Sequence, residues 1–236
     1  MIRLVKSLLP KAAKSAVKHL VGVQDMETRL RNLKRAGFVC SGAVDVGAFA
    51  GEWALVAKEV FACPVLMIEP QPGRRSDLDQ LVRRHGFELE TVAVSESRRS
   101  GRLLLEATNS RLVSDDDAND RPQVAVRVER LDDVLARHPA LHPNLLKVDV
   151  QGHELAVLDG AASAIRQMEV VVLEVSVIRI GPVPVFREAI EYMAARGFRL
   201  YDFLPMYYRP LDGALWQGDA FFVRGDSNLV ASEAWA

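Results

Sequence analysis

Three acidic motifs, in order along the chain, carry the residue types best suited to chemistry. They are Val44–Trp53, Met67–Pro70 and Leu146–Glu154, and each places an acid at the carboxyl end of a short apolar run. In an open α/β sheet, ligands bind in the crevice outside the carboxyl ends of the strands. Three acids at consecutive positions of this kind therefore predict one crevice that binds a nucleoside.

The glycine-rich turn in the first motif distinguishes between nucleosides. A dinucleotide-binding turn has the pattern G-x-G-x-x-G, which lets the backbone approach a pyrophosphate. Counted from Gly47, the other two glycine places hold Phe49 and Glu52, and counting back from Gly51 also fails. The observed D-x-G-x-x-x-G suits S-adenosylmethionine (SAM), which has no phosphate. Gly47 would allow the sharp turn and Gly51 the close packing of the next helix.

The candidate cofactor residues surround this turn and the end of the following strand. Glu69 follows the turn by about 20 residues, the spacing at which an acid accepts hydrogen bonds from ribose hydroxyls. The helix that starts after the turn has free N–H groups that can receive the methionyl carboxylate. The predicted cofactor-binding residues are Asp45, Gly47, Ala48, Phe49, Gly51, Glu52, Glu69, Pro70 and Ser95.

Over most of its length the chain resembles the FkbM-type methyltransferases, SAM-dependent O-methyltransferases of the class I Rossmann-like fold. The residues that carry the resemblance are Val44–Trp53, Ile68–Pro70, Val92–Ser95, Arg130–Leu135, Leu146–Ala161, Val171–Glu174 and Asp219–Val223. It runs from about Ala36 to Arg224 and implies a seven-stranded, mostly parallel sheet with helices on both faces and an antiparallel closing hairpin. Phe49 and His153 depart from the asparagine and the small residue that are frequent there.

Alternating strand and helix patterns independently favour a parallel sheet. The predicted strands are Ala43–Val46, Val65–Ile68, Glu88–Val94, Leu145–Val148, Val170–Glu174, Leu200–Phe203 and Ala220–Val223. The predicted helices are Asp25–Arg35, Glu52–Phe61, Ser76–His85, Asp132–His138, His153–Gly160 and Arg187–Arg196. We divide the chain into a basic arm and leading helix (residues 1–35), a methyltransferase domain (36–224) and a frayed tail (225–236).

Residues 101–143 interrupt this alternation with two alternating apolar runs, 102–106 and 124–128. Between them, residues 108–122 form a long polar loop, and loops of that length in a compact domain are usually functional or disordered. We predict that it is a lid over the pocket. Asp115–Asp117 within it are interpreted as a solvated turn, because consecutive side chains in a loop seldom converge on a metal ion. No metal site is predicted.

Methyl transfer to a hydroxyl gains most from positioning, which can contribute about 7–11 kcal/mol. A general base adds roughly 10²–10⁴-fold. Asp149 ends the fourth strand beside the glycine-rich strand, and His153 follows four residues later. We predict that Asp149 positions the acceptor hydroxyl and His153 assists as base, with Glu154 and Glu174 as competitors. A packing role for His153 stays open.

The resemblance implies an acceptor hydroxyl on a sugar, a glycan chain or a polyketide-type natural product. The predicted substrate-binding residues are Asn109, Glu174, Ser176, Tyr207 and Tyr208. The segment Phe203–Tyr208 is expected to follow a strand, where it would stack on a sugar face or pack in the core. The alternatives are an RNA or other small-molecule methyltransferase and a non-catalytic nucleoside-binding module.

Composition restricts the choice of partner and location. The chain has 236 residues, 49% of them hydrophobic, which favours one domain with a large core. A formal net charge of −1 gives no general attraction to nucleic acid, and no nucleic-acid partner is expected. Cys40 and Cys63 form neither a metal cluster nor a disulfide framework. We predict a cytoplasmic protein.

Residues 1–24 break this neutrality with five lysines or arginines and no acid. Apolar residues interleave with them at roughly helical spacing. The segment is too short and charged to span a bilayer and lacks the cleavage site of a secretory signal. It predicts either peripheral contact of residues 1–22 with an anionic membrane or a leading helix packed on the domain or a partner subunit. A homodimer is possible on this basis.

Overall fold

The computed structural model describes residues 25–106, 110–113, 121–232 and 234. Three of the predictions above lie outside these ranges: the basic arm over residues 1–24, the substrate residue Asn109 and the turn Asp115–Asp117. Most of the predicted lid also lies outside them.

The described residues form eleven strands and six α-helices. In chain order the strands are β1 (Ala43–Val46), β2 (Val65–Ile68), β3 (Glu88–Glu90), β4 (Ala93–Val94), β5 (Arg99–Leu104), β6 (Arg111–Val113), β7 (Gln123–Glu129), β8 (Leu145–Val148), β9 (Val170–Ser176), β10 (Phe198–Tyr208) and β11 (Leu215–Arg224). The helices are α1 (Met26–Arg35), α2 (Glu52–Phe61), α3 (Arg75–His85), α4 (Leu131–Leu135), α5 (Glu154–Asp159) and α6 (Phe186–Ala194).

Seven of the strands form one central sheet in the order β10-β11-β9-β8-β1-β2-β3. The strands from β9 to β3 are parallel, and β11 runs antiparallel to both β9 and β10. Strand order reverses between β1 and β8, which is where an open sheet of this kind binds its ligand. The structure is therefore the mostly parallel, Rossmann-like sheet with an antiparallel closing hairpin that we predicted.

Apolar side chains fill both faces of this sheet. One face packs against α4, α5 and α6, and the other against α1, α2 and α3. The four residues of each of the strands β1, β2 and β8 are all buried, as expected for parallel strands covered on two sides. Helix α1 begins at a cap in which the Asp25 carboxylate accepts the backbone N–H of Thr28 at 3.0 Å. Such caps contribute about 1 kcal/mol.

The predicted third strand, Glu88–Val94, is wrong as a single element. Its first half pairs with β2 as β3, whereas Ala93–Val94 hydrogen-bonds to Val128–Glu129 of β7. A second sheet with the order β4-β7-β5-β6 takes the place of the expected crossover helix. The two alternating runs predicted within residues 101–143 are its strands β5 and β7, which pair antiparallel.

The closing hairpin is antiparallel as predicted but longer, so Phe203–Tyr208 lies within β10 and does not follow it. The described part of the C-terminal tail is not frayed. The Ser227 hydroxyl donates to Glu169 at 2.7 Å, and Leu229 packs against the core. Among the described residues, no helix combines the length and apolar character needed to cross a membrane.

Candidate active site

A cavity of about 740 Å³ opens at the carboxyl ends of β1, β2, β8 and β9. Its walls also include residues from the second sheet, the loop after β9 and the β10–β11 hairpin. The predicted site residues that line it are Asp45, Gly47, Ala48, Phe49, Glu52, Glu69, Pro70, Asp149, His153, Glu174 and Tyr207. The three acidic motifs thus meet in one crevice.

Four predicted site residues lie outside the cavity lining. Gly51 lies behind the turn, where an added Cβ would stand 2.4 Å from the Leu81 side chain. Ser95 is fully buried, and its hydroxyl donates to Glu96. Ser176 is fully buried within β9, whereas Tyr208 is exposed near the end of β10. The structure therefore does not bring these four residues into the wall of the cavity.

Gly47 brings the first and third acidic motifs together. Its φ is +83°, and a Cβ at this position would lie 1.8 Å from the backbone oxygen of Asp149. Only glycine leaves room for this approach. Phe49 and Gln151 also have positive φ, 48° and 58°, which is uncommon for residues with a side chain and is concentrated at functional sites.

Glu69 forms hydrogen bonds to the turns that follow β1 and β2, which border the cofactor side of the cavity. One carboxylate oxygen accepts the backbone N–H of Phe49 at 2.7 Å, and the other accepts that of Gln71 at 2.8 Å. Burial raises the pKa of Glu69, while these N–H groups act in the opposite direction. The carboxylate therefore has a structural role in addition to any role toward a ribose.

Asp45 is a buried acid that lies beside the Lys147 charge without bonding to it. It is 1% exposed, and neither carboxylate oxygen has a hydrogen-bond partner within the described part of the chain. Burial raises its pKa to about 6, against the lowering effect of the Lys147 charge. An unpaired buried carboxylate at a cavity wall is costly unless a ligand or water satisfies it.

Asp149 is held by two donors. Lys147 Nζ donates to Oδ2 at 2.9 Å, and Gln151 Nε2 donates to Oδ1 at 2.9 Å. The same Gln151 amide donates to Glu174 at 2.8 Å. Burial would raise the pKa of Asp149, but the charge and hydrogen bond of Lys147 outweigh it and hold this pKa below its ordinary value. Burial and the neighbouring Asp149 charge raise the pKa of Glu174.

His153 precedes α5 and lines the cavity, four residues after Asp149. Its Nδ1 is buried without a hydrogen-bond partner in the described structure. Burial, followed by the charges of Arg99 and Arg111, lowers the pKa of His153. The imidazole is therefore neutral at ordinary pH, which is the protonation state that a base requires.

Glu154, the competing acid on the same helix, is fully buried and lies outside the cavity lining. Its carboxylate accepts the backbone N–H groups of Val150 at 3.1 Å and Gly152 at 3.0 Å. These bonds hold the turn after β8. Glu154 therefore supports the shape of this turn, and the geometry does not place it near a substrate.

Several cavity residues were missed by sequence reasoning: Arg111, Lys147, Gln151, Trp216 and Asp219. A signal existed for Lys147 and Asp219, because each is a charged residue inside an otherwise apolar strand. Such residues are rarely buried unless they are paired. No comparable signal marked Arg111, whose position depends on the unforeseen second sheet.

Comparison with known proteins agrees with this geometry. The model of the methyltransferase FkbM domain matches residues 45–200. The 1,6-didemethyltoxoflavin-N1-methyltransferase of Burkholderia thailandensis, solved with its substrate and S-adenosylhomocysteine, is 13% identical, with 91% of this chain and 85% of that chain covered and a TM-score of 0.50. A candidate RNA methyltransferase of Pyrococcus horikoshii is 14% identical, with 84% and 82% covered and a TM-score of 0.49.

At these identities the solved structures are informative about the fold alone, and no curated protein matches the chain significantly. The family model is the stronger finding. It spans well over half of the chain and contains the glycine-rich turn, Glu69 and the Asp149 motif. The chain therefore belongs to the FkbM family of SAM-dependent methyltransferases.

Proposed function

We propose that the protein transfers the methyl group of SAM to a hydroxyl of a sugar, a glycan or a related natural product. The observation that carries this proposal is the polar chain Lys147–Asp149–Gln151–Glu174 in a cavity that Tyr207 and Trp216 also line. Carboxylates and amides suit an acceptor with several hydroxyls, and aromatic rings provide apolar faces with polar edges. This combination supports a sugar-like acceptor.

The residues on the other side of the cavity fit SAM as cofactor. Glu69 would accept the ribose hydroxyls, and the unpaired carboxylate of Asp45 would meet a cationic group of the ligand. The N–H groups at the start of α2 would receive the methionyl carboxylate. SAM supplies an electrophilic methyl group on a sulfonium ion.

In the proposed mechanism, the protein orients and activates the acceptor. Asp149 accepts a hydrogen bond from the reacting hydroxyl while Lys147 and Gln151 hold its carboxylate in place. The acceptor hydroxyl has one hydrogen, so Asp149 would hold it by this bond before the reaction, and His153, neutral because of burial and neighbouring arginines, would take up the same proton as the oxygen is methylated. Positioning within the cavity contributes the larger share of the rate.

An RNA acceptor would need a surface with free positive charge. Five arginines of the second sheet and its borders are instead paired with acids: Arg98 with Asp133, Arg99 with Glu96, Arg111 and Arg121 with Glu106, and Arg127 with Glu129. These pairs leave less charge for a phosphate backbone and support a small or glycan acceptor.

A screen with radiolabelled SAM tests the proposal directly. Extracted glycans, small-molecule natural products and RNA would be incubated separately with the protein. We expect label in a glycan or natural-product fraction, retained on the acceptor under mild base because methyl ethers, unlike methyl esters, do not hydrolyse there. Label confined to RNA would contradict the proposed acceptor, and binding of SAM without labelling of any fraction would favour a non-catalytic module.

Replacing Glu69 with glutamine tests the cofactor side of the cavity. Glutamine has one acceptor oxygen, so it cannot keep both backbone bonds and also accept two ribose hydroxyls. We expect SAM binding to weaken by about 1–3 kcal/mol, measured by isothermal titration calorimetry. Glu59→Gln, an exposed change on α2, is the matched control. Wild-type SAM affinity in folded Glu69→Gln would remove Glu69 from the cofactor site.

We propose that this chain divides into residues 1–35, 36–224 and 225–236. The family match falls inside the middle segment. Helix α1 packs its buried Leu30 and Leu33 beside α2 against the same core. The leading helix is thus attached to the methyltransferase domain, and the basic arm precedes it.

The basic arm supports a separate proposal of peripheral contact with anionic membranes. Removing residues 1–22 keeps Asp25, which caps α1, so SAM binding should be unchanged. Sedimentation with phosphatidylserine vesicles should fall on truncation, and the binding of the full-length protein should weaken as salt is added. If the full-length protein does not bind such vesicles at low salt, the interpretation of residues 1–22 as a packed leading segment would be favoured.

A further inference from the structure

A row of charged side chains crosses four neighbouring strands at the wall of the cavity. Asp45 of β1 is the register partner of Lys147 of β8, and Glu174 of β9 is the register partner of Asp219 of β11. Lys147 is also opposite Val172, two residues before Glu174 on the same face of β9. Register partners point to the same side of a sheet, so the row shares one face.

The row is buried and its charges are unbalanced. Exposure is 1% for Asp45, 7% for Lys147, 6% for Glu174 and 4% for Asp219. With Asp149 at the end of β8, four carboxyl groups surround one ammonium group. Lys147 makes its ion pair with Asp149, at 2.9 Å. Buried charges of this kind are stable only when they compensate one another.

We propose that Lys147 is a positioning residue for methyl transfer, acting through Asp149 by holding its carboxylate ionised and oriented toward the acceptor hydroxyl. The inference rests on the proposed function, in which Asp149 contacts that hydroxyl. Lys147 and Gln151 each bond a different oxygen of Asp149, so together they fix the plane of the carboxylate. Gln151 supplies no charge, and therefore cannot replace the electrostatic part of the role.

The acids around Asp149 compete with it for protons, whereas Lys147 favours its ionised form. The titratable groups that face it from the packed elements are Asp45, Lys147, Glu154, Glu174, Tyr207 and Asp219. Burial raises the pKa of Asp219 to about 6 and that of Glu154 to about 7. Lys147 remains charged because the carboxylates of Asp149, Asp45 and Asp219 raise its pKa against the effect of burial. Its ammonium is the cation that keeps a proton off Asp149.

The substitution Lys147→Met removes this positive charge and leaves a side chain of nearly the same length. Asp149 must be ionised and His153 neutral to act, so activity appears as pH rises through the higher of their two pKa values. Without Lys147 the pKa of Asp149 rises, and where it exceeds that of His153 the acid limb of the pH–rate profile should move to higher pH. Turnover near neutral pH should fall about tenfold or more and recover as pH is raised. Lys147→Arg keeps the charge, so the acid limb of its pH–rate profile should lie at the same pH as in the wild type. A structural role alone would lower turnover equally at every pH.

A second measurement needs no acceptor. Proton release on SAM binding is obtained by calorimetry in buffers of different ionisation enthalpy. In Lys147→Met, a protonated Asp149 should lose its proton when the SAM cation binds, so release near neutral pH should exceed that of wild type. The excess should be smaller in the double variant with Asp149→Asn, in which Asp45 and Asp219, whose pKa values Lys147 also lowers, can still contribute to it. Lys58→Met, which removes a lysine bonded to the Cys63 carbonyl, is the control.

The outcomes separate the two proposals. Failure of the unmodified protein to bind SAM would overturn the proposed function together with this inference. SAM binding by every variant, with unchanged proton release and an unmoved acid limb in Lys147→Met, would overturn the role of Lys147 alone. Should the methionine variant fail to fold, Lys147→Gln keeps a donor without the charge and gives the same comparison.

Discussion

Gly47→Ala should eliminate detectable SAM binding and destabilise the protein by about 3 kcal/mol or more, at the upper end of the effects of point mutations. The alanine Cβ would lie 1.8 Å from the backbone oxygen of Asp149, and the backbone φ of +83° disfavours any side chain. The chain can relieve this overlap only by moving the turn after β1 away from the end of β8. Calorimetry with SAM and thermal unfolding measure the two effects.

Gly86→Ala is the matched control for this prediction. Gly86 caps α3 with φ +67°, and no atom lies within 4 Å of the position of an added Cβ. This substitution should cost only the left-handed conformation, about 1–2 kcal/mol, and leave SAM affinity unchanged. If both alanine variants bound SAM equally well, the close approach at Gly47 would have no role in the cofactor site.

The sequence predicted the parallel part of the fold because its signals are local. Ala43–Val46 contains an acid and is followed by a glycine, and Leu145–Val148 is followed by both. The two strands were predicted with the bounds that the structure shows. Parallel strands buried on both faces have this composition wherever they lie in the chain. Their carboxyl ends then have to meet at one edge of the sheet, which brought the three acidic motifs together.

The second sheet could not be predicted in the same way. Alternation in residues 102–106 and 124–128 indicated strands, but it does not specify which strands pair. The division of Glu88–Val94 depends on a partner, β7, that lies more than thirty residues later in the chain. Pairing over such separations is set by tertiary packing and not by local pattern. The cavity residue Arg111 belongs to this sheet and was missed for that reason.

The interactions within the candidate site also could not be predicted from the sequence. Glu69 was predicted from its spacing, but its bonds to the N–H groups of Phe49 and Gln71 depend on two turns meeting around it. The buried row containing Lys147 and Asp219 depends on strand register across β8, β9 and β11. A charged residue in an apolar strand indicates that a partner exists, whereas the identity of the partner follows from the sheet order.

Asp149→Asn should lower turnover by about 100-fold or more while SAM affinity changes little. Both oxygens of Asp149 accept hydrogen bonds from donors, Lys147 and Gln151. An asparagine has one acceptor oxygen, so its NH₂ group must face one of those donors and the side chain loses its fixed orientation. The acceptor hydroxyl then has neither a charged nor a positioned partner. Turnover with labelled SAM and the acceptor found in the screen measures the loss, and Asp159→Asn, outside the cavity, is the control.

His153→Ala should cost less, because the histidine assists a hydroxyl that Asp149 already orients. Burial and the charges of Arg99 and Arg111 lower the pKa of His153, so the wild-type imidazole is neutral further into the acid range than an ordinary histidine. The loss in His153→Ala should therefore be present across neutral pH and fade only at acid pH, below the range in which an ordinary histidine becomes protonated. Turnover of both variants within about twofold of wild type would falsify the Asp149–His153 pair. Glu174, the remaining acid bonded to Gln151, would then be the next residue to substitute.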